Sequence, residues 1–234
     1  MGIQALLRDL RLSAGVHFRV FLRAEGSAMR LVILSDTHGQ RPEIPDGDVL
    51  IHCGDISTHG SRDDIQAELE WLDKQGHSVK FYVPGNHDIA MQFTNMPWFR
   101  SVTVLQDREI VYAGVTFYGT PWCPAYKGWG FGIEPGSRTM KAARDAIPGY
   151  TDVLISHCPP YGVMDKVKGE DEHLGCRVLR RRVDSFRPRV HCFGHIHTGG
   201  EGSPQVNISG TLFVNAAVLD EEYRPVGVPQ VVSL

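Results

Sequence analysis

Short apolar runs alternate with loops and with stretches of helical periodicity along most of the chain. Most of the runs are continuous and only a few residues long, which is typical of strands buried on both faces. The Ala113-Gly114 pair separates two later runs and predicts a β-hairpin. The predicted strands are residues 30–34, 48–52, 79–83, 109–112, 115–118, 153–156, 190–193, 206–208, 212–214 and 230–232, the last three as antiparallel strands.

After residue 28, three stretches have the periodicity of amphipathic helices. Ser61 and Asp64 resemble a capping box, and the apolar positions after them share one helix face until Gly76 ends the helix. The other two helices are predicted over residues 138–146, closed by a Pro-Gly pair, and over residues 174–186. This mixture of elements predicts a layered α/β or α+β domain built around sheets. The number of layers does not follow from periodicity.

The first 28 residues differ in composition from the rest of the chain. They hold four arginines against one aspartate and one glutamate, and residues 3–10 have the apolar spacing of a short helix. Three interpretations are open: a targeting segment, an element that packs on the domain, or an extension upstream of a start at Met29. We favour an extension of uncertain role, followed by one catalytic domain over residues 29–234.

Composition and charge exclude several classes of protein. The chain has 234 residues with 24 Lys and Arg against 27 Asp and Glu, a formal net charge of −3. A chain of this length can fold without a disulfide or a metal, so any metal is expected to serve chemistry. The near-neutral charge argues against a nucleic-acid partner, and no apolar run is long enough to span a membrane. Five scattered cysteines without a Cys-x-x-Cys pair favour a cytoplasmic location.

Polar clusters follow directly on five of the predicted strands. Ligands of α/β sheets bind at the carboxyl ends of the strands, so these five loops can meet in one crevice. In Asp-x-His and His-x-His, alternate residues of an extended chain point the same way and can hold one ion. The clusters are Ser-Asp-Thr-His-Gly at 35–39, Cys-Gly-Asp at 53–55, Gly-Asn-His-Asp at 85–88, Ser-His-Cys-Pro-Pro at 156–160 and Gly-His-Ile-His at 194–197.

The side-chain types in these clusters indicate a particular kind of metal site. Carboxylate, imidazole and amide ligands without thiolate suit Mn, Fe, Zn or Co, whereas imidazole is a poor ligand for calcium. The candidate ligands are too many for one ion, but they fill two metal sites if one carboxylate bridges the ions. Two-metal sites are common in enzymes that displace phosphoesters. Two divalent ions and two carboxylates leave a charge of about +2, or +1 with a hydroxide, which suits a phosphate anion. The candidates are Asp36, His38, Asp55, Asn86, His157, His195 and His197.

The five clusters, in this order, resemble the calcineurin-like metallophosphoesterase superfamily, and the resemblance extends over residues 29–234. Further segments resemble the small phosphodiesterases of the metallophosphoesterase-domain-containing subgroup, at residues 119–122, 157–160, 173–176 and 193–197. The resemblance implies a four-layer sandwich in which two packed mixed β-sheets are flanked by helices. It also implies two divalent or trivalent metal ions, Mn, Fe or Zn, of which Mn is expected to support activity best.

The resemblance implies how the candidate ligands are shared between the two metals. One carboxylate bridges the ions, and each ion takes three further ligands. The first metal takes Asp36, His38 and His197, the second takes Asn86, His157 and His195, and Asp55 bridges the two.

The same resemblance makes His87 the catalytic residue. A metal-bridged hydroxide would attack phosphorus, while His87 would steady the phosphoryl oxygens and protonate the leaving alkoxide. Its orienting partner is expected to be Asp36 or a loop carbonyl, with Asp88 as a second candidate. Asn86 and His87 would both contact substrate, and His59 is a weaker candidate at the mouth of the site.

Other residues near these motifs have simpler interpretations. His52 and His191 lie inside predicted strands and are expected in the core, and His77 is expected on the surface. The loop over residues 121–135 carries several aromatic residues, on which a base could stack. A loop that packs on its own side chains explains them equally well.

The sequence therefore predicts a two-metal phosphodiesterase that hydrolyses small phosphodiesters, such as cyclic nucleotides and aryl phosphodiesters. Alternatives on the same site are a phosphomonoesterase, a nucleotide pyrophosphatase or a nuclease, although nothing indicates the basic groove that a nuclease needs. A non-catalytic scaffold that binds a protein is disfavoured because the ligand set is complete. The oligomeric state stays open, a homodimer included.

Overall fold

The structure, a computed structural model, describes residues 28–93, 99, 101–197 and 204–234. The predicted extension lies, apart from Ala28, outside these residues. In the described part, the α-helices are α1 (Arg62–Asp73), α2 (Arg138–Asp145) and α3 (Arg177–Phe186), with a 3₁₀ turn at Ile89–Gln92. The strands are β1 (Arg30–Leu34), β2 (Val49–His52), β3 (Val79–Tyr82), β4 (Val102–Val104), β5 (Arg108–Tyr112), β6 (Val115–Thr120), β7 (Cys123–Pro124), β8 (Gly132–Ile133), β9 (Val153–Ser156), β10 (Val190–Phe193), β11 (Gln205–Ile208), β12 (Thr211–Asn215) and β13 (Gln230–Ser233).

Two mixed sheets enclose the central core. The first has the order β13-β1-β2-β3-β4, with β1 to β4 parallel and β13 antiparallel at one edge. The second has the order β11-β12-β10-β9-β6-β5, with four parallel inner strands and an antiparallel strand at each edge. Apolar side chains from both sheets pack in one cluster, with Ile33 and Phe81 from the first sheet and Phe117 and Ile155 from the second.

The helices cover the outer faces of the two sheets. On the first sheet, Leu69 of α1 packs in a cluster with Leu50 of β2. On the second sheet, Met140 of α2 and Leu179 of α3 pack in a cluster with Leu154 of β9. Both faces of each inner strand are therefore buried, which explains the continuous apolar runs. The layers run helix, sheet, sheet, helices, so the fold implied by the resemblance is confirmed.

Most predicted elements are confirmed, with shifts at their ends. Ser61 caps α1, and its side chain accepts a hydrogen bond from the backbone of Asp64. The helix predicted from residue 174 begins instead at Arg177, because the Cys176 thiol caps it by accepting from the Leu179 backbone. Three short strands, β4, β7 and β8, were not predicted. β12 is antiparallel only to β11 and pairs in parallel with β10.

The histidines predicted for the core and the surface have mixed outcomes. His52 and His191 are fully buried and hydrogen-bonded through Nε2 to the hydroxyls of Thr37 and Ser156, as predicted. The prediction for His77 is wrong, because this side chain is also buried. Gly47 has no side chain, so its loop lies close against the His77 ring.

The longest helix in the described part, α1, has 12 residues. A bilayer needs about 20 predominantly apolar residues in a helix. None of the described helices is therefore long and apolar enough to cross a membrane.

Candidate metal centre

The loops that carry the polar clusters follow five parallel strands, β1, β2 and β3 in the first sheet and β9 and β10 in the second. Backbone hydrogen bonds join the loops. The N–H of Asp36 donates to the carbonyl of Gly54 at 2.9 Å, and the N–H of His38 donates to the carbonyl of Asp55 at 3.1 Å. The N–H of Gly194 donates to the carbonyl of His157 at 3.0 Å. These bonds hold the polar side chains of different strands at one place.

Asp36, His38 and His197 form one group of candidate ligands. One ligand atom from each lies within 4.8 Å of the others. A carboxylate oxygen of Asp36 lies 3.3 Å from Nε2 of His197. The backbone N–H of His195 donates to both carboxylate oxygens of Asp36, at 2.9 and 3.1 Å, and so fixes the plane of the carboxylate.

A second group forms around His157. Its Nε2 lies 2.9 Å from the amide oxygen of Asn86 and 3.3 Å from a carboxylate oxygen of Asp55. The His195 ring lies 5.0 Å from the His157 ring, between centroids. The same carboxylate oxygen of Asp55 lies 3.9 Å from Nε2 of His38, in the first group. Asp55 therefore lies between the two groups.

The hydrogen bonds of the imidazoles fit metal ligation. Nδ1 of His157 lies 2.9 Å from the carbonyl of Cys53, and Nδ1 of His197 lies 3.0 Å from the carbonyl of Asp220. A ring that donates its Nδ1–H to a carbonyl leaves Nε2 free to bind a metal, as metal-ligating histidines commonly do. Both ring nitrogens of His38 and Nδ2 of Asn86 are buried without a hydrogen-bond partner among the described residues. The residues present fit a pair of metal ions.

Four of the candidate ligands have a left-handed backbone conformation. Their φ angles are +56° at Asp36, +44° at His38, +52° at Asp55 and +68° at His195. For residues other than glycine this conformation costs on the order of 1–3 kcal/mol each, and it persists only where the surroundings enforce it. The surrounding structure therefore holds these four residues in a strained conformation, which directs their side chains toward one point.

Two glycines let the loops approach the carboxylates. A Cβ atom at Gly194 would lie 2.0 Å from a carboxylate oxygen of Asp36, and a Cβ atom at Gly85 would lie 2.2 Å from one of Asp55. Any side chain at either position would displace a candidate ligand. The close approach to the two carboxylates therefore explains why the Gly-His-x-His and Gly-Asn-His motifs have glycine at these positions.

The carboxylates at the centre are ionised at neutral pH. Burial alone raises the pKa of Asp36, but the hydrogen bond and charge of His197 outweigh burial and hold it well below its usual range. For Asp55, burial also raises the pKa, and the charge of His157 brings it down to about 2. Both residues are therefore in the form that binds cations.

The four candidate imidazoles form two pairs that differ in the direction of their pKa shifts. Burial lowers the pKa of His38 and of His195 to about 4, so both are neutral and ready to ligate. Burial acts in the same direction on His157 and His197, but the adjacent carboxylates raise the pKa of each to about 9. Metal binding would release a proton from each of these two rings.

His87 lies beside the two groups. Its backbone N–H donates to Asp55 at 2.8 Å, and its Nδ1 lies 3.0 Å from the carbonyl of Thr58. Its ring centroid lies 4.8 Å from that of His38. The loop carbonyl is therefore its orienting partner, because the Asp88 carboxylate accepts backbone N–H groups at 2.9 to 3.3 Å instead.

A small cleft of about 70 Å³ opens over the centre. The structure does not place His59 at the mouth as predicted, because this residue is exposed and is not among the described residues that line the cleft. Besides candidate ligands, the lining includes Trp129, Glu221 and Tyr223, of which the last two had no sequence signal.

One thiol also approaches the second group. The Cys123 sulfur, one nitrogen of His157 and one nitrogen of His195 all lie within 4.8 Å of one another. Cys123 is the first residue of β7, and the order of motifs did not predict this contact.

The chain is similar in sequence to known proteins. Residues 29–199 match the family described as Calcineurin-like phosphoesterase. The chain is 34% identical over 237 residues to Metallophosphoesterase domain-containing protein 1 of Homo sapiens, across 88% of this chain and 71% of that protein. It is 33% identical over 208 residues to UPF0046 protein K07C11.7 of Caenorhabditis elegans, across 81% of this chain and 69% of that protein.

Solved structures share the fold at low sequence identity. Phosphopantetheinyl Hydrolase from Mycobacterium tuberculosis matches with a TM-score of 0.57 and 15% identity, over 88% of this chain and 96% of that one. The fold and the centre thus define a metal-dependent phosphoesterase. The chain belongs to the calcineurin-like phosphoesterase family.

Proposed function

We propose that the protein is a two-metal phosphodiesterase for small phosphodiesters, including cyclic nucleotides and aryl phosphodiesters. The position of Asp55 carries the proposal, because its carboxylate lies within 4 Å of His38 in one ligand group and of His157 in the other. We further propose that residues 29–234 act as one catalytic domain, which the family match over residues 29–199 supports. The five cysteines are all buried free thiols, which supports the proposed cytoplasmic location.

Each of the two groups of candidate ligands is proposed to hold one metal ion. Metal ions in these sites would supply a hydroxide nucleophile at neutral pH and positive charge for the phosphoryl oxygens. The charge of Asp55 would attract both ions. Its Oδ2 lies near His38 and His157, and its Oδ1 accepts the backbone N–H of His87. The first ion would be held by Asp36, His38 and His197, and the second by Asn86, His157 and His195, with Asp55 between them.

The charge of the cleft favours a diester over a monoester. No lysine or arginine is among the described residues that line it, and Glu221 adds a carboxylate at its rim. A diester carries one negative charge, whereas a monoester carries nearly two at neutral pH. With the Glu221 carboxylate included, the residual charge of about +1 to +2 at the centre falls to about 0 to +1, which suits the single negative charge of a diester.

His87 is proposed to protonate the leaving oxygen. With Nδ1 held by the carbonyl of Thr58, Nε2 is the atom that gives up the proton. The same hydrogen bond fixes the orientation of the ring, so the proton is delivered in one direction.

A comparison of bis(p-nitrophenyl) phosphate with p-nitrophenyl phosphate tests the proposal. We expect a chelator to abolish hydrolysis of the diester and Mn²⁺ to restore it. We expect kcat/KM for the diester to exceed that for the monoester by ~10-fold or more, since a second negative charge near Glu221 costs more than ~1.4 kcal/mol.

Two variants sharpen this comparison. Glu221→Gln removes the carboxylate at the rim and should lower the ratio of kcat/KM for the diester to kcat/KM for the monoester. Glu222→Gln is the matched control, because Glu222 pairs with Arg224 outside the cleft lining and should leave the preference unchanged. Activity that is indifferent to the chelator would refute the metal mechanism, and faster hydrolysis of the monoester would refute the diester assignment.

A further inference from the structure

The aromatic residues of the loop after β6 have two different environments. Trp122 and Phe131 pack against each other with ring centroids 5.7 Å apart, and Phe131 is fully buried. Trp129 and Tyr126 also contact each other, at 5.7 Å, but are 41% and 55% exposed. The packing of the loop on itself therefore explains the first pair and does not explain the second.

Trp129 lies directly beside the proposed acid. Its ring centroid is 4.7 Å from that of His87, and it lines the same cleft as His38 and Asp55. Lys127 covers the Tyr126 ring, with its ammonium 4.7 Å from the ring centroid. Trp129 is thus the exposed aromatic ring that borders the reaction centre on this loop.

Hydrogen bonds hold the backbone that follows Trp129 against the segment that carries Asn86 and His87. The N–H of Gly130 donates to the carbonyl of Asn86 at 3.0 Å, and the N–H of Phe131 donates to the side chain of Gln92 at 2.8 Å. The residues on either side of His87 and the residues after Trp129 are therefore tied together. The Trp129 ring itself packs against the rings of His87 and Tyr126. A ring with this support loses little conformational freedom when a ligand stacks on it.

We propose that Trp129 forms a leaving-group subsite, which stacks on the nucleobase or aryl ring of the alcohol that is released. The inference rests on the proposed function, in which His87 delivers its proton to the leaving oxygen. A group attached to that oxygen must lie next to His87, where Trp129 offers its ring. Every nucleobase has an aromatic face, so the subsite selects for planar leaving groups without selecting one base.

Two substrates that differ only in the base test the subsite: adenosine 2′,3′-cyclic phosphate and 1-O-methylribose 2′,3′-cyclic phosphate. We expect the wild-type protein to favour the adenosine compound in kcat/KM by ~10- to 100-fold, the range for one stacked base. Trp129→Ala should remove this preference by lowering kcat/KM for the adenosine compound more than for the base-free substrate, whereas Trp129→Phe should retain part of it. Tyr150→Ala is the control, because Tyr150 is an exposed aromatic residue outside the cleft lining.

A binding measurement separates the subsite from the chemistry. AMP should quench the fluorescence of the wild-type protein more than that of Trp129→Phe, and ribose 5-phosphate should quench neither. Equal kcat/KM for the two cyclic phosphates, or an equal loss on both in Trp129→Ala, would overturn the subsite while the phosphodiesterase assignment stands. If neither substrate is hydrolysed, the proposed function fails, and the quenching by AMP alone decides whether the subsite exists.

Discussion

Replacing His87 with alanine is expected to lower turnover of cyclic nucleotides ~10²- to 10⁴-fold, the usual contribution of a general acid, and to leave the metal content unchanged. The leaving group of a cyclic nucleotide is an alkoxide, which departs slowly without a proton. Nε2 of His87 is placed to supply this proton, because Nδ1 is held by the carbonyl of Thr58. Turnover and metal content measured on the same preparations test this prediction.

The leaving group provides an internal control for His87. p-Nitrophenolate is a stable anion and departs without a proton, so His87→Ala should slow bis(p-nitrophenyl) phosphate much less than a cyclic nucleotide. One atom each of His38, Asp55 and His87 lie within 4.8 Å of one another, so the geometry also accommodates His87 as a ligand. Loss of metal from His87→Ala, with an equal fall in rate on both substrates, would make His87 a ligand instead of an acid.

The second large effect is expected from Asp55→Asn. The amide keeps the size of the carboxylate and can still accept the N–H of His87, but it lacks the charge that would hold two cations. We expect the metal content to fall from about two ions per chain to one or fewer. Turnover should fall by more than ~10³-fold, since losing even a single electrostatic stabiliser of the transition state costs ~10²–10³.

A buried carboxylate elsewhere serves as the control for Asp55. Asp165 is also buried, and it bonds to His173 and to the backbone of Gly162, away from the candidate ligands. Asp165→Asn should therefore keep both metal ions. Circular dichroism of both variants shows whether each retains the fold. If Asp55→Asn is folded and still binds two ions, Asp55 is not a bridging ligand.

The sequence predicts much of this fold because the inner strands are buried on both faces. A strand such as β9 is buried at every position, and its three apolar residues at 153–155 form a continuous run in the sequence. The edges of the sheets leave weaker signals. β4 has only three residues, so its existence does not follow from a local pattern. β12 was predicted as a strand, but its parallel pairing with β10 depends on a contact distant in the sequence.

The candidate site also has residues that the sequence predicts and residues that it does not. The seven proposed ligands occur in local motifs that each follow a strand, and the structure brings all seven together. Tyr223 reaches the cleft from the segment between β12 and β13, and Cys123 of β7 approaches His157. These contacts depend on how distant segments pack, and no spacing in the sequence encodes them.

Anomalous X-ray diffraction from crystals of the protein grown with Mn²⁺ tests the two-metal centre most directly. We expect two peaks ~3.5–4 Å apart, one on each side of the Asp55 carboxylate, in contact with the two groups of ligands. A single peak, or peaks that lie away from Asp55, would contradict the two-metal centre.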